Sequence, residues 1–416
     1  MPVVRLSCAV NNYHWGKHGL SSKAAQFAAT NPDVSIDANQ TYAELWMGTH
    51  PSGPSKLFGT QTELSTLVTQ DPARALAPGV EHKYGPNLPF LFKVLSIEKA
   101  LSIQAHPDKT LAAKLHGERP AVYKDGNHKP EMSIALTDFL AMSGFRPLEE
   151  IAGFLAAYPE FRALVPRSAD TFSDIAKASS GAPVAEKKTQ LRNLFSELMT
   201  AKAEDVAAQM DILVSRIPPQ EADSMSVDAL VHRLNAEYPG DVGVFCIFML
   251  NVLQLLPGDA FFMGPNDPHA YISGDCVECM ATSDNVVRAG LTPKLRDVPV
   301  LVDMLTYEFG TPDAKLLRPV SFAQGANGHS VVYDPPIDEF SVACTRLQPT
   351  ETETVAPLQG PQILLVAEGN GILQAQNEEP ADVLPGFVYF VYPDTEYTLK
   401  AADDAPLVTY AALCLE

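Results

Sequence analysis

The segment PGDAFFMGPNDPHAYI (residues 257–272) shares its pattern with the segment PGFVYFVYPDTEYTL (residues 385–399). Aligned without gaps, the Pro-Gly pair and a later proline coincide in the two segments. Each segment predicts a Pro-Gly turn, an aromatic strand and a proline-containing turn into another strand. Because such strand-turn units are typical of antiparallel barrels and jelly rolls, the sequence predicts two related β-barrels.

The two segments differ at one residue that could bind a metal. Where the first has His269, the second has Tyr397. If His269 is a metal ligand, the second barrel lacks that ligand. We therefore expect the second barrel to be structural and metal-free.

A helical region separates the two β-rich regions. Two apolar stripes at helical spacing, one ending at Met199 and one ending before Pro218, predict core-facing helices. The apolar segment VFCIFMLNVLQLL (residues 244–256) is too short to span a bilayer, and we interpret it as a buried helix. The residues therefore predict a helical region, roughly residues 148–256, between two β-rich regions.

The charge of the chain limits its partners. Its 416 residues include 30 Lys and Arg against 50 Asp and Glu, a net charge of −20. Nucleic acid and anionic membrane surfaces both need an extended basic footprint, so we expect neither as a partner. An anionic small molecule fits only where basic side chains are concentrated in its pocket.

The cysteines and the N-terminal segment predict a compartment. The start of the chain has no signal-peptide pattern, and six cysteines in so long a chain do not form a disulfide framework. We therefore expect a cytoplasmic protein with reduced thiols. Cys276 and Cys279 form a CxxC pair, but no second pair accompanies it. In a strand these thiols face opposite sides, so we interpret both as core residues.

Polar residues embedded in the β-rich regions suggest a metal site. Gln104 and His106 stand two apart in a predicted strand, so their side chains share one face. Glu131 and His269 open two other predicted strands. Two imidazoles, a carboxylate and an amide oxygen form a ligand set that suits Zn²⁺. Each residue also has a structural interpretation: Gln104 and His106 could be a hydrogen-bonded pair, and Glu131 could cap a turn.

Four motifs in this order resemble the type I phosphomannose isomerases: SIQAHPDK (residues 102–109), HKPEM (128–132), GPNDPHAYISGDCVE (264–278) and NVVRAGLTPK (285–294). The segments YHWG and AELWMGTHPSGPS are also similar to that family. The resemblance implies a mainly β fold with an α-helical insertion, made of two cupin (jelly-roll) barrels and a helical domain. Residues 1–147 with 257–318 are then the catalytic zinc cupin, residues 148–256 the helical domain, and residues 319–416 a metal-free cupin.

The resemblance also implies roles for individual residues. The ligands of one Zn²⁺ per chain are then Gln104, His106, Glu131 and His269. Arg288 falls at the position of the active-site arginine. The candidate substrate-binding residues are Ser102, Lys93, Tyr271, Asp284 and Lys294, of which Ser102 and Lys294 are the phosphate candidates. The proton-transfer base stays open among Glu278, which we place first, Lys129 and His128.

The implied reaction interconverts mannose 6-phosphate and fructose 6-phosphate through an enediol, in a cytosolic, largely monomeric enzyme that supplies GDP-mannose synthesis. One alternative is a metal cupin of other chemistry, an Fe(II) dioxygenase or an Mn decarboxylase. Those enzymes predict a His-x-Asp/Glu or His-x-His pair, whereas this chain has Gln-x-His. A second alternative is a non-catalytic sugar-binding protein with two cupin barrels, which has no use for a metal surrounded by Arg and Lys.

Overall fold

The structure, a computed structural model, describes residues 2–177, 181–219 and 225–415. The strands before the helical region are β1 (Val3–Ser7), β2 (Ala9–Asn11), β3 (Lys17–His18), β4 (Thr41–Tyr42), β5 (Glu44–Met47), β6 (Lys56–Leu57), β7 (Phe90–Ile97), β8 (Ile103–Ala105), β9 (Glu131–Ala135) and β10 (Phe139–Phe145). The strands that follow it are β11 (Leu250–Leu255), β12 (Ala260–Met263), β13 (His269–Ala281) and β14 (Val287–Gly290). The C-terminal strands are β15 (Val320–Ser321), β16 (Ser330–Tyr333), β17 (Ser341–Leu347), β18 (Thr352–Val355), β19 (Gln362–Gly369), β20 (Gly371–Ala375), β21 (Ala381–Val383), β22 (Val388–Val391), β23 (Tyr397–Ala401) and β24 (Leu407–Leu413).

Helices surround these strands. The α-helices are α1 (Lys23–Ala28), α2 (Leu64–Gln70), α3 (Pro72–Leu76), α4 (Pro78–Tyr84), α5 (Lys109–Glu118), α6 (Leu148–Ala157), α7 (Pro159–Leu164), α8 (Ala169–Lys177), α9 (Val184–Met199), α10 (Ala203–Arg216), α11 (Val227–Glu237) and α12 (Val298–Met304). Short 3₁₀ helices cover Gly19–Ser21, Val242–Phe248 and Pro312–Lys315. Within the described ranges, no helix has both the length and the apolar character needed to cross a membrane.

The first barrel is built on the long strand β13, which belongs to both of its layers. The first part of β13 pairs with β10 and β8, and the part from Gly274 onward pairs with β7 and β9. The switch occurs at Gly274, whose φ of 112° favours glycine. A Cβ there would lie 2.5 Å from the carbonyl oxygen of Asp138, so a larger residue would separate the strands. The bend closes the two layers around one interior.

The second barrel confirms the prediction from the repeated segments. An eight-stranded sheet, ordered β15-β16-β17-β24-β19-β22-β1-β6, faces a four-stranded sheet, ordered β18-β23-β20-β21. The repeated segments form β12 with β13 in the first barrel and β22 with β23 in the second. Tyr397, at the position of His269, is buried, and its hydroxyl donates to Gln362 Oε1 at 3.2 Å.

The first barrel lies between the other two parts of the molecule. One outer face, which includes Phe92 and Cys279, packs against the large C-terminal sheet in a shared apolar core. The opposite outer face, which includes Met142 and Val287, packs against the helical region. All eight residues of β7 are buried because both of its faces are covered. Cys276 instead lies in the barrel interior, which confirms that the two thiols face opposite sides.

The helical stripes are confirmed, whereas the helix predicted over residues 244–256 is wrong. The apolar stripes of α9 and α10 are buried in the core beside the first barrel. Residues 242–248 form a 3₁₀ helix, and Leu250–Leu255 is strand β11, paired with β10. Pairing with the open edge of β10 decides the structure, because a short apolar run has no reliable periodicity.

Strand pairing favours two changes to the proposed domain boundaries. Strand β1 pairs with β22, so the start of the chain lies in the C-terminal sheet. Strand β11 extends the sheet of the first barrel. We therefore propose that the helical domain ends before Leu250 and that β1 belongs with residues 319–416. The other predicted boundaries stay as proposals.

Candidate metal centre and active site

Three buried side chains meet inside the mouth of the first barrel. His106 follows β8, Glu131 begins β9 and His269 begins β13. Gln104 of β8, two residues before His106, lies opposite His269. Glu131 lies opposite Met263, the last residue of β12, and the turn after β12 leads to His269. One donor atom from each lies within 4.8 Å of the other two. The separation is 3.4 Å from His106 Nε2 to Glu131 Oε1 and 3.2 Å from His269 Nε2 to Glu131 Oε2.

The donor atoms of this group fit a divalent cation. His106 Nδ1 lies 2.7 Å from the carbonyl oxygen of Asn285, and His269 Nδ1 lies 3.1 Å from that of Asp267. Each Nδ1 therefore carries the proton, and each Nε2 directs a lone pair at Glu131. Both Nε2 atoms and Glu131 Oε2 are buried and have no hydrogen-bond partner within the part of the chain that the structure describes. Lone pairs that face a carboxylate repel it, and a Zn²⁺ ion between them would satisfy all three atoms.

Burial and neighbouring charge keep these groups ready to bind a metal. Burial lowers the pKa of His106 to about 4, so the imidazole stays neutral. Burial alone would raise the pKa of Glu131, but the charge of Lys129 opposes this effect, and that pKa lies well below its usual range. A neutral imidazole and an ionised carboxylate are the forms that coordinate a metal.

Gln104, the predicted fourth ligand, lies beside this group. It is opposite His269 in the β8–β13 pairing and opposite Arg288 in the β8–β14 pairing. Directly opposed residues in an antiparallel pair project to the same face. The hydroxyl of Ser102 donates to Gln104 Oε1 at 3.5 Å. The register therefore places Gln104, Arg288 and His269 on one side of the sheet.

The turn before His269 joins the two histidine segments. Asn266, at a φ of 64°, donates its backbone N–H to the carbonyl oxygen of His106 at 2.7 Å. Its side-chain amide donates to Asp108 Oδ2 at 2.9 Å, and its Oδ1 accepts from the Asp108 backbone N–H at 3.1 Å. Asparagine tolerates the left-handed conformation that this turn requires. This role was not predicted from the sequence, although Pro-Asn-Asp is a turn signal.

A group of buried charges lines the barrel next to the metal ligands. Lys93 Nζ lies 3.2 Å from Glu278 Oε2, and Lys129 Nζ lies 2.9 Å from Glu131 Oε1. Glu44, which was not predicted from the sequence, accepts from the indole N–H of Trp46, and its charge raises the pKa of Lys93.

The pKa values in this buried group follow from its charge balance. Burial alone would lower the pKa of Lys93, but the surrounding carboxylates raise it. Burial also raises the pKa of Glu278, and the charge of Glu131 adds to this effect. Excess negative charge contributes to the rise of both pKa values, because three carboxylates (Glu44, Glu131 and Glu278) lie near only two ammonium groups (Lys93 and Lys129). A bound divalent cation would reverse the sign of this charge and favour an anionic substrate.

Tyr271 links Glu278 to the barrel wall. Burial, followed by the charge of Glu278, raises the pKa of Tyr271 well above its usual value, so its hydroxyl stays protonated. That hydroxyl donates to Glu278 Oε1 at 2.7 Å. Ser133 Oγ, 2.6 Å from the same hydroxyl oxygen, must then act as the donor. Both oxygens of Glu278 are therefore held, one by Tyr271 and one by Lys93.

The remaining predicted residues lie in different surroundings. The side chain of Arg288 is half-buried and has no hydrogen-bond or ion-pair partner among the described residues. Lys294 is exposed, and Asp284 lies at the rim, 3.4 Å from His50 Nε2. His128 Nε2 contacts Glu339 Oε1 of the C-terminal region at 2.6 Å, so the structure does not bring this nitrogen to the metal ligands.

We expect replacement of Glu339 by glutamine to destabilise the protein in a pH-dependent way. Burial alone would raise the pKa of Glu339, but the hydrogen bond from His128 outweighs it and lowers that pKa. The stabilisation is therefore complete above about pH 4.5, the ordinary value, and is lost as the pH falls through the lower folded-state value. Glu339→Gln should lower the free energy of unfolding by about 1–3 kcal/mol at pH 6.5.

Urea denaturation at pH 6.5 and at pH 4 measures this effect. The difference from the unsubstituted protein should shrink at pH 4. Glu351→Gln is a matched control, because Glu351 pairs with His329 at 3.4 Å in the same region but its side chain is more exposed than that of Glu339. A Glu339→Gln difference that grew as the pH fell would contradict the assignment.

Comparisons with known proteins identify the family. Three models of type I phosphomannose isomerase regions match: the catalytic domain over residues 3–148, the helical insertion domain over 165–250 and the C-terminal region over 330–377. Mannose-6-phosphate isomerase from Schizosaccharomyces pombe is 42% identical over 418 residues, which cover 99% of each chain. The enzyme of the same name from Cryptococcus neoformans is 46% identical over 421 residues, which cover 96% of each chain.

Solved structures agree with this result. A structure described as mannose 6-phosphate isomerase (holo; zinc bound) has a TM-score of 0.79 and 28% identity, with 99% of each chain covered. A lysine-to-alanine variant of phosphomannose isomerase from Salmonella typhimurium has a TM-score of 0.81 and 29% identity, with 98% of this chain and 99% of that chain covered. This chain belongs to the type I phosphomannose isomerase family.

Proposed function

We propose that this chain is a zinc-dependent isomerase that interconverts D-mannose 6-phosphate and D-fructose 6-phosphate. The observation that carries the proposal is the buried group of His106, Glu131 and His269, whose unpaired atoms converge on one point. Similarity over nearly the full chain to an isomerase structure described as zinc bound supports the choice of metal. We propose Gln104 as the fourth ligand because its register places it opposite His269.

The reaction sets three tasks for the residues of the chain. An aldose–ketose isomerisation removes the proton at C2, forms an enediol and returns a proton to C1. Zinc bound by His106, Glu131 and His269 would supply a Lewis acid for the oxygens of the reacting carbons. The residues around it must bind the phosphate, move the proton and stabilise the negative oxygen of the enediol.

Arg288 is suited to the negative charge that the reaction requires. Its guanidinium is half-buried without an anionic partner among the described residues, and it stays charged although burial lowers its pKa. A carboxylate partner would neutralise the positive charge of Arg288. Without such a partner, the whole charge is available to a substrate anion. We propose that Arg288 acts near both the reacting oxygens and the phosphate, with Ser102 and Lys294 as further phosphate contacts.

Three residues are candidates for the base that moves the proton. We propose Glu278 first, because burial raises the pKa of this carboxyl and makes it a stronger base, while Lys93 keeps it ionised. Lys129 contacts Glu131, and His128 contacts Glu339, so each has another carboxylate partner. A Glu278→Gln variant that still exchanged the C2 proton with D₂O would move the role to Lys129 or His128.

The test of the proposal is conversion of mannose 6-phosphate to fructose 6-phosphate by the purified full chain. We expect turnover that a chelator abolishes and that added Zn²⁺ restores, with one zinc bound per chain. Absence of conversion by a folded, zinc-loaded protein would reject the isomerase and leave the metal centre standing.

The same measurements separate the alternatives. A dioxygenase or decarboxylase predicts recovery with Fe²⁺ or Mn²⁺ and no isomerisation. A sugar-binding protein without catalysis predicts phosphosugar binding and no turnover. Arg288 is half-buried, lies beside the metal ligands and has no partner among the residues that the structure describes, which favours the isomerase over both alternatives.

Further features of the proposal follow from the family. We propose a monomeric enzyme in the cytoplasm that supplies mannose 6-phosphate for GDP-mannose synthesis. We also propose that the second barrel is metal-free, because the buried Tyr397 replaces the histidine of the first barrel.

A further inference from the structure

Asp241, between α11 and the 3₁₀ helix Val242–Phe248, contacts two separate segments of the chain. Its Oδ1 accepts from the backbone N–H of Gly243 at 2.7 Å, which caps the 3₁₀ helix. The same oxygen accepts from the backbone N–H of Leu291 at 2.7 Å, and Oδ2 accepts from that of Thr292 at 3.2 Å. One carboxylate of the helical region therefore holds the backbone that follows β14.

The two segments cross at a pair of glycines. A Cβ on Gly290 would lie 2.5 Å from the Cα of Gly243, and a Cβ on Gly243 would lie 2.5 Å from the nitrogen of Leu291. Immediately after this crossing, Leu291 adopts a φ of 54°, which is strained for a residue with a branched side chain. Such a conformation persists only where its surroundings hold it. The Asp241 carboxylate supplies that restraint with two charge-assisted hydrogen bonds.

The restrained backbone carries basic residues. Strand β14 contains Arg288, and the following segment, residues 291–296, contains Lys294 and Arg296. The backbone N–H of Lys294 donates to Thr292 Oγ1 at 3.0 Å, so the position of Lys294 depends on the residue that Asp241 holds. Thr292 and Arg296 line a cavity of about 510 Å³ against Asp241.

Another basic side chain, Lys99, lines a different wall of this cavity, and Lys294 lies outside its lining. Lys99 lies over the ring of Tyr238 at 4.3 Å and has no ion pair among the described residues. Glu237, the other carboxylate in the lining, is occupied by Arg233 and by the backbone N–H of Ala100. Asp241 accepts from backbone donors, so both carboxylates of the lining have hydrogen-bond partners within the protein.

We infer that Asp241 is a positioning residue for the substrate phosphate: through the turn at Leu291 and Thr292, it holds residues 291–296 in the arrangement in which Lys294 binds the phosphate. This inference rests on the proposed function, because it takes Lys294 as a phosphate contact. If the inference holds, a residue of the helical region contributes to substrate affinity through residues 291–296. Asp241 itself does not touch the substrate.

The test compares Asp241→Asn with the unsubstituted full chain. The amide keeps the shape of the carboxylate but loses its charge and directs an NH₂ group at one of the backbone donors. We expect KM for mannose 6-phosphate, and the inhibition constant of inorganic phosphate, to rise by about tenfold. We expect kcat to stay within about threefold, because the substitution removes binding that is common to substrate and transition state. Zinc content should stay at one per chain.

Asp228→Asn is the matched control. Asp228 is a half-buried residue of the same helical region, and it accepts from the hydroxyl of Tyr158 at 2.7 Å, away from residues 291–296. KM and the phosphate constant should be unchanged in this variant. A general loosening of the helical region would move both variants together and would overturn the inference.

A double-mutant cycle with Lys294→Ala separates positioning from other effects. If Asp241 acts through Lys294, Asp241→Asn should change KM little in the Lys294→Ala background. Additive effects, or a phosphate constant within about twofold of the unsubstituted value in Asp241→Asn, would overturn the inference. If the unsubstituted protein bound phosphate but showed no isomerisation, the proposed function would fail. Calorimetric titration of inorganic phosphate into the same variants would then decide the role of Asp241.

Discussion

Replacing Glu131 with glutamine is expected to remove bound zinc and to reduce turnover by about a thousandfold or more. Glu131 lies 3.2–3.4 Å from the Nε2 atoms of both His106 and His269, and it supplies the negative charge of the ligand group. Glutamine has nearly the same shape, so the barrel should keep its fold. Without the carboxylate, two imidazoles and two amide groups hold a divalent cation weakly. Zinc content by elemental analysis and isomerase turnover measure the two effects.

Glu197→Gln is the control for the loss of a buried carboxylate. Glu197 is buried in the helical region, where it accepts from the hydroxyl of Ser168 at 2.6 Å and from Arg167 Nε at 2.9 Å. That variant should lose stability but keep zinc and turnover. If Glu131→Gln kept one zinc per chain with full affinity, the metal would lie elsewhere and the ligand assignment would be rejected.

The two-barrel fold and the metal group could be predicted because their signals are local. The repeated segments predict strands and turns from residues that are neighbours in the sequence. The apolar stripes of α9 and α10 likewise predict the buried face of each helix. Gln104 and His106 were recognisable as a pair because alternation along a strand fixes their common side. The motifs then joined residues that no spacing rule could have joined.

The parts that could not be predicted depend on contacts between distant segments. Residues 250–255 form a strand because β10 offers an open edge, which no pattern within those residues records. Strand β1 joins the C-terminal sheet across most of the chain. The partner of His128 is Glu339, and the donors to Asp241 include Leu291. From the sequence alone, Glu339 and Asp241 cannot be distinguished from solvent-exposed acidic residues, because their partners lie far away along the chain.

Replacing Arg288 with alanine is expected to reduce kcat by about a hundredfold to a thousandfold while zinc content stays at one per chain. The guanidinium is half-buried and has no ion-pair or hydrogen-bond partner among the described residues, so its removal leaves no buried anion unpaired. Its contact with the ligand group is through the backbone pairing with Gln104, which alanine keeps. The loss should therefore fall on catalysis and phosphate binding rather than on the metal.

Arg146→Ala is the matched control for this substitution, because Arg146 is also half-buried and burial also lowers its pKa. Its partners are Glu150 and the carbonyl oxygen of Ile247, away from the metal ligands. Arg146→Ala should change stability and leave kcat within about twofold, as expected of a residue outside the site. Arg288→Lys keeps the charge but not the two-pronged geometry, so its turnover should be intermediate. An Arg288→Ala protein that lost its zinc would show that Arg288 supports the metal centre structurally, and the catalytic assignment would then be wrong.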